Sequence, residues 1–213
     1  MASDEPEYER RAVERLVFFS DAVVAIAITL LAIDLPVPVG ATAGAFWSSA
    51  RINDDAYLGF LVSFLTIAIA WSHHHDAFKY ARRSDSWLRN ATMIWLLTII
   101  LIPSATKLLT NYGHDTLTVH ALRWGFYALL QTVDSATLFA MTRHMAAHDL
   151  GSRDAEAQAA DDFDSVGTML GFGLSIPLFF ATTYGWVLWI VTPILVARVN
   201  RRRRRSRSAG AGR

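Results

Sequence analysis

The chain contains no cysteine, which excludes disulfides, thiolate metal sites and a thiol nucleophile, and leaves nothing that points to an oxidising compartment. Charge is equally scarce over long stretches: the acidic and basic residues gather in a few short blocks instead of spreading as they would over a soluble domain. No small-residue cleavage site follows the first apolar run, so that run is expected to be a retained helix and not a signal peptide. No internal repeat or second domain is visible. Nor does any set of nucleophile, base and orienting acid stand at workable spacing, so neither an enzyme nor a cofactor is expected.

What fills the sequence is apolar. Of 213 residues, 53% are hydrophobic, with seven Trp and twelve Phe, and such a composition is that of a membrane protein. A helix needs about 20 mostly apolar residues to cross the hydrocarbon core. Six stretches approach that length, at 17–35, 56–75, 89–109, 121–142, 165–183 and 185–199. Only "TYG" separates the last two, for which one long kinked helix is the alternative. Pro177 and Pro193 lie inside these stretches, which membrane helices tolerate where neighbours re-satisfy the backbone.

The net charge of +1 conceals a strong asymmetry. With the N-terminus inside, seventeen of the twenty Lys and Arg fall on the cytoplasmic side, leaving Arg51, Lys107 and Arg123 outside. That bias predicts six crossings with both termini cytoplasmic. The expected organisation is a cytoplasmic segment 1–14, a six-helix transmembrane domain 15–200 and a polybasic tail 201–213. The tail suits anionic lipid head groups and positive-inside anchoring, and no nucleic acid partner is expected. The stretch "RDAEAQAADDFD" is readable as a short acidic helix in a cytoplasmic loop.

The first apolar segment sorts by face. Arg15, Phe19, Ala22, Ile26, Thr29 and Ile33 form one stripe at alternating spacings of three and four, and Asp21, Ala25, Ile28 and Ala32 form a second, smaller one. An acidic residue in hydrocarbon is costly unless it meets protein or water, so Asp21 is expected at a helix contact with a hydrogen-bonding partner. The second segment offers donors in "WSHHHDAF": Trp71 with His74 or His75 can meet Asp21 or Ser20. Three consecutive His positions diverge by about 100° each, so no metal site is expected there. In the third segment Asn90 can join the same polar cluster, and Pro103 with Thr106 marks a helix end. The fourth carries His120, Trp124, Tyr127, Gln131 and Asp134 on one stripe, read either as an intramembrane relay or as a buried hydrogen-bonded seam.

Arg15, Phe19, Ser20 and Asp21 stand as R-x-x-x-F-S-D at the entry of the first helix, and this resembles the signature of the transmembrane protein 175 family of potassium-permeable channels. Trp71, His74, His75 and Phe78 resemble that family's W-x-x-H-H-x-x-F, and Asn90, Pro103 and Thr106 fit its third helix. The resemblance covers residues 15–200. It implies an all-α membrane protein of six transmembrane helices with no pore loop, and no TVGYG-like segment is present. It also implies a homotetramer in the cell membrane, permeable to K⁺ and other monovalent cations. The first helices would line the pore, with Ile26 as constriction, Thr29 beside it and Ile33 as a further apolar layer, a weakly to moderately K⁺-selective arrangement. These three lie on the stripe already derived from periodicity. The remaining alternative is a small proton-coupled or ion transporter using Gln131 and Asp134.

Overall fold

A computed structural model describes residues 5–79, 81–110, 116–151 and 163–210. The described residues form seven helices: α1 (Glu5–Ile33), α2 (Ala43–Ile52), α3 (Asp54–Phe78), α4 (Ser86–Thr110), α5 (Leu117–Ala147), α6 (Phe163–Phe179) and α7 (Val187–Gly210). Three are long and apolar enough to cross a membrane, within Glu7–Ile33, Asp54–Phe78 and Ser86–Thr110, and Val166–Phe179 and Val187–Val196 are shorter apolar helices. Most of the acidic stretch, residues 153–162, lies outside the described residues, and its last two residues, Phe163 and Asp164, begin α6.

Polar contacts at two ends set the direction of each helix. At one end Arg83, in the α3–α4 loop, pairs with Glu9 of α1 at 2.7 Å, and the backbone N–H groups of Arg82 and Arg83 donate to the Leu150 carbonyl after α5. At the other, Lys107 of α4 pairs with Asp34 beyond α1 at 2.6 Å, and the Tyr57 hydroxyl of α3 donates to the Pro36 carbonyl at 2.7 Å. Hence α1, α3, α4 and α5 alternate in direction. The close approaches of Gly125 to Ile176 and of Gly171 to Leu188 place α6 antiparallel to α5 and α7 antiparallel to α6. The two ends are called below the Arg83 end and the Lys107 end.

The core is built from narrow stripes of these helices. On α1 it takes Leu16, Ser20, Val24, Ala27 and Leu31; on α3, Ser63, Ile67, Ala70, His74 and Phe78; on α4, Leu88, Trp95, Ile99 and Ile102. α1 packs on α3 and α4, and α5 lies between α4 and α6.

Three expectations change, and of the two readings of the last segments the structure takes the first, two helices. Pro103 does not end a helix: α4 continues to Thr110, and its last turns gain hydroxyl bonds from Thr106 to the Ile102 carbonyl and from Thr110 to the Thr106 carbonyl. The last two segments are separate helices, because α6 stops at Phe179, where Phe180 N–H folds back onto the Pro177 carbonyl, and α7 begins only at Val187. α2 was not anticipated. It is a ten-residue helix whose N-terminus is capped by the Thr42 hydroxyl, which accepts from Ala45 N–H, and it is too short to span a bilayer. Helix α1 begins at Glu5, well before the apolar run, where Arg11 pairs with Glu7 one turn away.

The α4 start illustrates how loop chemistry holds the bundle. Asp85 accepts from Leu88 N–H at 2.7 Å and meets His144 Nε2 of α5 at 2.7 Å, while Trp87 stacks on the His144 ring at 4.2 Å. Burial pushes the Asp85 carboxyl up, but the Leu88 amide, the His144 ring and the charges of His144 and His148 outweigh it and hold it below its ordinary value of 3.8. The contribution is therefore fully present above that value and is lost only as pH falls through the lower folded value. Asp85→Ala is expected to lower stability by about 1 kcal/mol from the lost cap. Asp85→Asn retains the cap and loses only the charge on His144, so thermal unfolding in detergent should rank wild type above Asn above Ala at neutral pH.

Candidate functional site

The face of α1 turned away from the core carries the first sequence stripe. Phe19, Ile26 and Ile33 are 51%, 58% and 77% exposed, and Arg15, Ala22 and Thr29 are exposed as well. One hundred degrees around the helix and beyond, Ser20, Val24 and Ala27 are buried. The chain thus presents an apolar ridge that none of its described residues covers. The Thr29 hydroxyl donates to the Ile26 carbonyl at 2.8 Å. With its proton engaged in its own helix, the hydroxyl turns oxygen lone pairs outward.

Asp21 sits at the margin of the α1 contact, half-buried, and accepts a hydrogen bond from Trp71 Nε1 of α3 at 2.8 Å. Trp71 also leans on the His75 ring, at 5.6 Å between centroids. The polar cluster anticipated around Asp21 is smaller than expected. Ser20 is buried and donates to the Leu16 carbonyl within its own helix. His74 is buried in a stack between Trp95 and Phe78, at 4.2 and 4.3 Å, and no hydrogen bond reaches either ring nitrogen. Asn90 lies on the exposed side of the first turn of α4. The small stripe of Asp21, Ala25, Ile28 and Ala32 is not the packing face; that face is centred one position earlier in the helix, on Ser20, Val24, Ala27 and Leu31. A helix position turns by about 100° per residue, which is why a one-residue error moves Asp21 from the centre of the contact to its edge.

The stripe of α5 is half-buried at His120 and Trp124 and fully buried from Tyr127 onward. Tyr127, Gln131 and Asp134 are 1%, 2% and 4% exposed. The Tyr127 hydroxyl lies 3.3 Å from the Ser63 hydroxyl, which lies 2.7 Å from that of Thr106. Outward of Tyr127, the Trp124 and Trp189 rings lie tilted against each other at 5.6 Å, and Trp189 donates to the Ser175 hydroxyl at 2.8 Å. This α5–α7 aromatic wall was missed, because it joins three helices through residues that are ordinary in each. Among the described residues no group of three or more His, Asp or Glu is placed to hold a metal ion.

Residues 15–103 match the family model described as endosomal/lysosomal potassium channel TMEM175. A potassium channel of Streptomyces collinus is 31% identical over 171 residues, which is 79% of this chain and 82% of that protein. A potassium channel of Chamaesiphon minutus is 36% identical over 107 residues, 49% of this chain and 52% of that one. In fold, the chain resembles the crystal structure of a lysosomal potassium-selective channel TMEM175 homolog from Chamaesiphon minutus, with TM-score 0.69, 24% identity and coverage of 91% of this chain and 98% of that one. It also resembles the potassium channel MtTMEM175 solved with a nanobody fusion, with TM-score 0.63 and 19% identity over 88% of this chain and 93% of that one.

Proposed function

The chain belongs to the TMEM175 family of potassium channels, and from that membership we propose that it is itself a potassium-permeable channel whose pore is lined by α1. The observation that carries this reading is the uncovered ridge of Phe19, Ile26 and Ile33, opposite a fully buried face of the same helix. One pore-lining helix cannot enclose a path, so four copies of the chain around an axis complete it. The six alternating helices cross the cell membrane, with both termini and the Arg83 end in the cytoplasm, as the distribution of Lys and Arg favours.

In this arrangement four Ile26 side chains form a dry ring, backed by four Ile33. Passage through it strips water from the ion, which penalises Na⁺ more than K⁺ because Na⁺ holds its water more strongly. The outward lone pairs of Thr29, one turn along, replace part of that water. The Asp21–Trp71 hydrogen bond braces α1 against α3, so that the ridge is presented in a fixed rotation.

Flux of K⁺ and Na⁺ into liposomes containing the purified protein tests the reading. Wild type is expected to pass K⁺ faster than Na⁺. Thr29→Ala should reduce the ratio by roughly fivefold, the equivalent of about 1 kcal/mol for one oxygen contact. Equal ratios in the two proteins would remove Thr29 from the pore, and a silent wild type would remove the channel reading itself.

A further inference from the structure

Among the described residues, five buried polar atoms without a partner stand together. Both ring nitrogens of His74, Nε1 of Trp95, Nε2 of Gln131 and Oδ1 of Asp134 are buried without a hydrogen-bond partner. These residues are neighbours. His74 and Trp95 stack at 4.2 Å and 7°, Trp95 Nε1 faces the Asp134 carboxyl without closing on it, and Gln131, one turn before Asp134, lies beside the Tyr127 hydroxyl. Each such orphan is destabilising if it stays unmet. Five of them in one core need a common answer.

The mixture of donors and acceptors selects that answer. Trp95 and Gln131 present N–H groups, Asp134 presents an oxygen, and neutral His74 presents one of each. A cation would face the N–H groups, and an anion would face the carboxyl. Water both donates and accepts, and buried water is found where two to four polar partners converge.

Tyr127, beside Gln131, also lines a cavity. This cavity of about 460 Å³ between α3, α5, α6 and α7 is lined by Ser63 and Tyr127 at its floor, and by Trp124, Trp189 and the half-exposed Val62 toward its mouth. It lies toward the Lys107 end, since its lining also takes in Leu109 and Thr110 from the last turn of α4. At the opposite limit of the cluster, the His74 ring is closed between Trp95 and Phe78. We propose that each subunit contains a water-filled half-channel off the pore axis, entered from this cavity past Ser63 and Tyr127 and ending at Gln131, Trp95 and Asp134, where water bridges the unpaired groups. The His74 stack seals it from the Arg83 end.

This inference does not depend on α1 lining the pore. The test is radiolytic hydroxyl-radical labelling of the full-length protein in lipid nanodiscs, read residue by residue by mass spectrometry, because radicals formed from bound water mark side chains that bulk solvent never touches. Trp95, 0% exposed, is expected to be labelled within about threefold of Trp71, which is 38% exposed. Asp134→Leu removes the terminal acceptor and should cut Trp95 labelling about tenfold with Trp71 unchanged. Should that variant fail to fold, Val62→Trp places a ring in the cavity mouth from a surface position and should produce the same fall with Asp134 intact. Absence of Trp95 labelling in wild type overturns the proposal. So does labelling that survives Val62→Trp, since water would then enter by another path. Ile26→Asn, which alters the proposed pore, is expected to leave Trp95 labelling as in wild type, so the two readings fail separately.

Discussion

Ile26→Asn in liposome-reconstituted protein is expected to raise both K⁺ and Na⁺ flux by about tenfold or more, which corresponds to a barrier lowered by about 1.4 kcal/mol. In the proposed tetramer four isoleucines at one level would offer a dehydrating ion nothing in place of lost water, whereas four carboxamides would offer oxygens on flexible arms. The fold has little reason to object. Ile26 is 58% exposed in the single chain, and the α1 core contacts come from Val24 and Ala27, at 3% and 1%. Ala27→Asn, one residue along, is the control. It puts the same amide into the contact with α3 and α4, and should reduce yield and thermal stability without a gain in flux. Wild-type flux in a stably assembled Ile26→Asn protein would mean that this ridge faces lipid, and the pore would have to be sought elsewhere.

The contrast between those two neighbours shows what was legible in the sequence. A 3.6-residue period separates Ile26 and Thr29 from Ala27, and the exposed stripe of α1 follows from it directly. The buried stripe does not, because a costly residue such as Asp21 points to a contact centred on itself, whereas the contact is carried by the smooth run Leu16, Ser20, Val24, Ala27, Leu31. The structure resolves the cost with a single indole donor, Trp71 Nε1, reaching the edge of the contact. His74 carries the same lesson. Imidazole in a polar motif suggests a hydrogen bond, yet the ring is used as an aromatic slab between Trp95 and Phe78. Pro103 with Thr106 suggests a helix end, but in α4 the ring is buried in the core, where packing with neighbours offsets one missing backbone bond. The stripe of Tyr127, Gln131 and Asp134 was visible. What its members face depends on α3 and α4, whose rotation no single helix encodes.

Gly171→Val is the substitution expected to do most damage to the fold. Gly167 and Gly171 stand four apart on α6, the spacing at which small residues let membrane helices approach closely. Both are used against α7. A Cβ at Gly171 would lie 2.8 Å from the Leu188 carbonyl oxygen and 3.3 Å from Thr192 Cβ, and one at Gly167 would lie 3.1 Å from Pro193 Cα. Two of those three atoms belong to backbone, so relief requires α7 to move as a body. Gly173 gives the counter-case: its Cβ would meet Thr132 Cγ2 at 3.5 Å, an ordinary contact. Alanine gains up to about 1 kcal/mol over glycine in a helix interior. Gly173→Ala should therefore be neutral or mildly stabilising, while Gly171→Ala should lose about 1–3 kcal/mol from overpacking despite the same propensity gain. Valine adds two methyl groups to that clash and is expected to abolish recovery of folded protein. Thermal unfolding of the three variants in one detergent decides the matter. Opposite signs at positions 171 and 173 would place the constraint in the α6–α7 approach, whereas a matching loss at both would make it a property of the helix itself. Because Trp189 of α7 also walls the cavity beside Tyr127, separating α6 from α7 should widen that cavity before the bundle unfolds.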